Sequence, residues 1–179
     1  MDKLYMILLC LMIVPILICI KYARRIKSDV ASSIVKCLIF AIVTILSNGL
    51  SAFSENETFS YMMEALYRFS FDMMLIYVLQ YSQQYTRVFN EVSSFKKGCF
   101  IIAYLDGILL FFNIFFHNVF TIETVHFPNF DMYHVADKSI IFYFHYVFAY
   151  GLVVCIIASF IIKIIQIPDF YRKKYLPIL

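Results

Sequence analysis

Glu64, Arg68 and Asp72 stand at i, i+4 and i+8 in an otherwise apolar stretch running from Ser60 to about Tyr81. On a helix that spacing stacks the three side chains along one stripe, with the guanidinium between two carboxylates. Asp106 and His145 are the other ionisable groups set deep in apolar surroundings. Ion pairing, proton exchange and recognition of a small polar ligand are the chemistries open to such a set. A charge at mid-membrane costs roughly 2.5–3.5 kcal/mol on insertion scales, so it faces protein or water and has a purpose. A purely structural role also fits. Arg68 would then neutralise Asp72 or Glu64, and Asp106 would be protonated or bonded to a neighbouring helix.

Depth along a helix sorts these residues. At about 1.5 Å per residue, Asp72 falls near the middle of its stretch, and Asp106 lies about seven residues from the cytoplasmic end of the next. His145 lies about five residues inside the outer end of the last stretch, level with Glu64. If the third, fourth and fifth helices adjoin, two clusters are expected: Glu64 with His145 in the outer half, and Arg68, Asp72 and Asp106 near the midplane.

The elements that must position them are membrane helices. Hydrophobic residues make up 63% of the chain, well above the 45–50% of ordinary soluble domains. Five stretches reach or approach the length that crosses a bilayer, roughly 4–20, 30–50, 60–81, 99–117 and 140–165. The predicted fold class is all-α, a polytopic integral membrane bundle of five transmembrane helices in one domain over 1–179. Pro168 opens a further segment, 168–179, that reads as the start of a sixth helix. So little chain is left over that no soluble catalytic domain fits.

Basic residues alternate between loops. Lys21, Arg24, Arg25 and Lys27 follow the first stretch, Arg87, Lys96 and Lys97 the third, and Arg172, Lys173 and Lys174 the fifth. The second and fourth loops are acidic, with Glu55 and Glu57 in one and Glu123, Asp131 and Asp137 in the other. The positive-inside rule then sets the N-terminus outside and the C-terminus in the cytoplasm of a plasma or inner membrane. Lys36 and Lys163 read as edge anchors whose stems snorkel.

Other chemistry has little support. The five cysteines, Cys10, Cys19, Cys37, Cys99 and Cys155, show no CxxC pair and read as small buried hydrophobes. His117, His126 and His134 are spaced too widely for a familiar metal pattern and read as plain loop residues. Asn56-Glu57-Thr58 fits a glycosylation acceptor, a weak three-residue pattern. No catalytic residues, cofactor, metal or nucleic-acid partner is expected. The lipid bilayer and a small-molecule ligand are the expected partners.

Three runs in order carry a resemblance. They are Tyr67-Arg68-Phe69-Ser70-Phe71-Asp72 leading through Leu79-Gln80-Tyr81 to Tyr85-Thr86, then Phe112-Asn113-Ile114-Phe115-Phe116-His117-Asn118-Val119-Phe120, then Phe142-Tyr143-Phe144-His145-Tyr146-Val147-Phe148-Ala149-Tyr150. Tyr171-Arg172-Lys173-Lys174-Tyr175-Leu176-Pro177 closes the series. In order and orientation the chain resembles the N-terminal seven-helix membrane region of bacterial sensor histidine kinases and diguanylate cyclases. It departs from that pattern in having no tryptophan. The resemblance implies a sensory module that passes a signal to a cytoplasmic output domain absent from this chain, with a cyclase favoured over a kinase, acting as a homodimer. Glu64, Arg68, Asp72, Asp106 and His145 are its sensing candidates. A small transporter or channel subunit is the competing reading, since intramembrane Arg and Asp suit a substrate path equally well.

Overall fold

The computed structural model describes residues 2–166 except 53, 55, 87–92 and 128–129. The tail 168–179, with its expected sixth-helix start and its basic residues, lies outside the described residues, as do Glu55 and Arg87. Five helices form where five stretches were expected: α1 (Asp2–Ala23), α2 (Asp29–Ala52), α3 (Glu57–Thr86), α4 (Ser93–Phe116) and α5 (Ile140–Gln166). Most begin earlier or end later than their apolar runs, because polar caps extend them. Ser28 Oγ accepts the Ala31 amide at the start of α2, and Asn56 Oδ1 accepts the Phe59 amide at the start of α3. The acceptor motif at 56–58 is thus a helix N-terminus. At the far end of α4, His117 takes a left-handed conformation (φ 50°) and its amide bonds to the Asn113 carbonyl, closing the helix.

Among the described residues three helices are long and apolar enough to cross a membrane: 29–51 in α2, 94–116 in α4 and 140–166 in α5. The expectation of five such helices is not met on composition alone. In α1 the apolar run Ile7–Ala23 is shorter, and α3 carries three charges along its stripe.

The fourth loop, expected to be irregular, holds an antiparallel hairpin of β1 (Phe120–Phe127) and β2 (Phe130–Lys138), with a register shift between Phe120 and Ile122. Its base turns inward. Val119, Phe120 and Ile122 are buried with Tyr61, Leu110 and Phe142, and the Tyr61 hydroxyl accepts the Ile122 amide. Asn113 ties this base to α4, donating to the Phe120 carbonyl at 2.8 Å and accepting the Val119 amide at 2.7 Å.

α3 is the hub. It packs on α2, α4 and α5, while α1 lies against α2. The seam with α2 is a ladder of small polar residues: Ser51 with Ser60 and Glu64, Thr44 with Ser70, Ser33 with Gln84. Small hydroxyl residues let helix backbones approach and hydrogen-bond without a large apolar core. Burial is mixed, with polar side chains buried as fully as the apolar Ile76 and Leu110. Asp72, Asn113 and Ser70 are fully buried, while Phe115, Val147 and Tyr150 are more than half exposed.

Candidate functional site

Arg68 and Glu64, one turn apart on α3, form a buried ion pair. Ser51 from α2 adds a 3.4 Å bond to Glu64. Arg68 lies among rings: its guanidinium carbon is 4.4 Å from the centroid of Phe142 and 5.6 Å from that of Phe120. Tyr67 and Tyr146 flank it, and the Tyr146 hydroxyl accepts from it at 3.5 Å. Cation–π contact of this kind gains strength when desolvated, to about 2 kcal/mol.

One turn further in, three helices contribute one residue each to a second group. His145 Nδ1 of α5 is 2.8 Å from Asp106 Oδ2 of α4 and 3.2 Å from Asp72 Oδ2 of α3. All three side chains are at most 3% exposed. The Asp106 contact is a hydrogen bond. The Asp72 contact has ion-pair distance without hydrogen-bond geometry, so both Asp72 oxygens are buried with no hydrogen-bond partner.

Local packing sets this meeting point. α3 and α5 run side by side in the same direction, with Phe142 on Arg68 and Phe160 beside Tyr85. One further turn along each helix takes Arg68 to Asp72 and Phe142 to His145. α4 approaches α3 closely at Gly107, where a Cβ would stand 2.5 Å from the Phe69 ring. A larger residue there would make the Phe69 ring or α4 shift beside Asp106.

All five predicted site residues are therefore buried together, but in different partnerships. Glu64 takes Arg68, not His145. Asp72 and Asp106 take His145, not Arg68. The depth estimate failed because it set the outer ends of α3 and α5 level. α3 starts at Glu57, and the hairpin base fills the space above α5, so the first turn of α5 lies beside the middle turns of α3.

Sequence reasoning missed Tyr146, Phe142 and Phe120 around Arg68, and Asn113 under the hairpin. The aromatic-His-Tyr run of α5 was the available signal for the first two. Of the outer histidines, His117 packs edge-on to Tyr61 at 4.4 Å, and His134 Nδ1 lies 3.3 Å from the Glu123 carbonyl across the hairpin. The side chains of His126 and Asp131 lie outside the described residues. Lys36 places its ammonium 5.6 Å from the Tyr77 centroid.

A cavity of about 230 Å³ lies between α3 and α5, walled by Tyr67, Arg68, Phe71, His145, Tyr146 and Ala149 among others. It touches both groups, through Arg68 and through His145. No protein-family model, no curated protein and no solved structure matches this chain.

Proposed function

We propose that the chain is the membrane-embedded sensory part of a bacterial signalling protein. In this reading all five helices cross the bilayer, with the N-terminus outside and the C-terminus in the cytoplasm. α3 crosses despite its charges because the charged stripe faces protein, and the α1 run sits at the short end of the spanning range of about 17–25 residues. The observation that carries the reading is the cavity between α3 and α5, which has ionisable groups from both helices in its wall. A small polar ligand bound there changes the contacts between two helices that head for the cytoplasm, and a helix shift of about 1–2 Å is enough to switch a packed output. The output is a diguanylate cyclase or, second, a histidine kinase, working as a homodimer.

The test begins with the coding DNA beyond codon 179. Further spans followed by a cyclase or kinase domain support the reading, and the activity of that product, reconstituted in vesicles, is then compared with its Asp72→Asn and Arg68→Gln variants. Unchanged dose response in both variants at normal expression removes these residues from the sensing site. A stop codon directly after Leu179 sinks the sensor and promotes the small transporter or channel subunit, which the same cavity with its intramembrane charges also suits.

A further inference from the structure

We infer that Asp72, Asp106 and His145 form a binding site for a first-row divalent cation such as Zn2+. One ligand atom from each of the three residues lies within 4.8 Å of the other two. Cation bonds of about 2.0–2.2 Å at tetrahedral or octahedral angles put neighbouring donors roughly 2.8–3.6 Å apart. The 2.8 Å and 3.2 Å separations from His145 Nδ1 to the two carboxylates fall within that range.

The independent observation is Asp72. Its carboxylate is fully buried, lies beside His145, and has no hydrogen-bond partner on either oxygen. A buried carboxylate left in this way is costly. Its near neighbour His145, at 3.2 Å, is shared with Asp106 through the same nitrogen, and Arg68 is taken by Glu64. Among the described residues no lysine or arginine is paired with Asp72 or Asp106. A dication relieves both: two carboxylates and a 2+ ion sum to zero charge, the cheapest balance in a low-dielectric interior.

The donor set narrows the class. One imidazole nitrogen and two carboxylate oxygens suit Zn2+, Mn2+ or Fe2+ better than soft Cu+ or all-oxygen Ca2+. Three protein donors leave a coordination position open, the arrangement of exchangeable rather than purely structural sites. His145 also lines the cavity, from which water or a ligand anion can supply the fourth donor. The site does not rest on the sensory reading, because a transporter would use it equally well.

The test uses the full chain in lipid nanodiscs, stripped with chelator, equilibrated with Zn2+ and freed of excess ion, with metal counted by plasma mass spectrometry. About one Zn2+ per chain is expected, with a melting temperature that rises with free Zn2+. Asp72→Asn and His145→Gln should lose at least tenfold in affinity, while His134→Ala on the exposed hairpin keeps it. Co2+ loaded in place of Zn2+ should give the visible bands of a nitrogen- and oxygen-ligated ion in the wild type. Wild-type protein that stays metal-free and shows no Co2+ bands overturns the site, even if the variants fail to fold. So does zinc that persists in folded Asp72→Asn and disappears in His134→Ala.

Discussion

Two charged groups one helical turn apart have been resolved in opposite ways. Glu64 and Arg68 come from one helix, pair with each other, and are wrapped by Phe142, Phe120, Tyr67 and Tyr146. Asp72, Asp106 and His145 come from three helices, and Asp72 keeps two unpartnered oxygens. The outer pair balances its own charge and behaves as a strut, although Arg68 Nε is left without a hydrogen-bond partner. The inner triad is incomplete, which is the condition of a site. Burial does not separate them, since both are buried. Charge balance does: one cation meets one carboxylate in the outer pair, and two carboxylates share one imidazole in the triad.

The largest expected effect lies in the strut. Arg68→Met leaves Glu64 buried without its cation, a loss of about 3–5 kcal/mol of stability. The double variant Glu64→Gln/Arg68→Met removes both charges and should recover most of it, read from unfolding in mixed micelles. If the single variant costs under about 1 kcal/mol, the pair is not the strut described here.

Asn113→Ala comes next. It strands the Val119 amide and the Phe120 carbonyl, a cost of about 2–3 kcal/mol, and frees the hairpin base that seats Phe120 on Arg68. Amide exchange at Val119 and Phe120 should quicken, while Zn2+ affinity at the inner triad stays within about threefold, a shift of under 1 kcal/mol. A collapse of both together would mean that the two groups are one unit.

Gly107→Ala reverses the pattern. The new methyl meets the Phe69 ring, and overpacking of this kind costs about 1–3 kcal/mol. It pushes α4 from α3 beside Asp106, so cation binding should weaken while the exchange rates of the hairpin base hold. Equal affinity in the variant would show that Phe69 gives way and Asp106 stays in place.

The legible part of this molecule was local in sequence. Five helices follow from apolar runs, and the α3 stripe follows from i, i+4, i+8 spacing at Glu64, Arg68 and Asp72. The hairpin was within reach: Phe120-Thr121-Ile122-Glu123 alternates apolar and polar residues, Thr124-Val125-His126-Phe127 does so again, and Pro128-Asn129 has turn composition. The break in phase at Glu123-Thr124 weakens the alternation as a strand signal. Spacing left Arg68 a choice between Glu64 and Asp72, of which it takes Glu64, but the inner triad was not legible. Asp72, Asp106 and His145 are separated by 34 and 39 residues, so no spacing motif binds them. Their meeting depends on how far down α5 begins, which the buried hairpin base sets. The α2–α3 ladder was hidden for a related reason, since Ser51, Ser60, Thr44 and Ser70 carry no periodic signal within an apolar run.

The smallest expected effect in energy is also the one that most sharply separates strut from site. Asp72→Asn replaces a carboxylate lacking hydrogen-bond partners with an uncharged amide of the same shape. In a strut such a change destabilises, as Arg68→Met does. At an incomplete site it should stabilise the metal-free protein, by up to about 1 kcal/mol, because sites retain groups that stability alone would discard. The same variant should lose the rise in melting temperature with added Zn2+. Melting curves with and without the ion, on wild type and Asp72→Asn side by side, read both quantities. A variant less stable than wild type without metal would make Asp72 a second strut that needs His145 alone. A more stable variant deaf to Zn2+ would mean that the buried carboxylate is kept for what it binds.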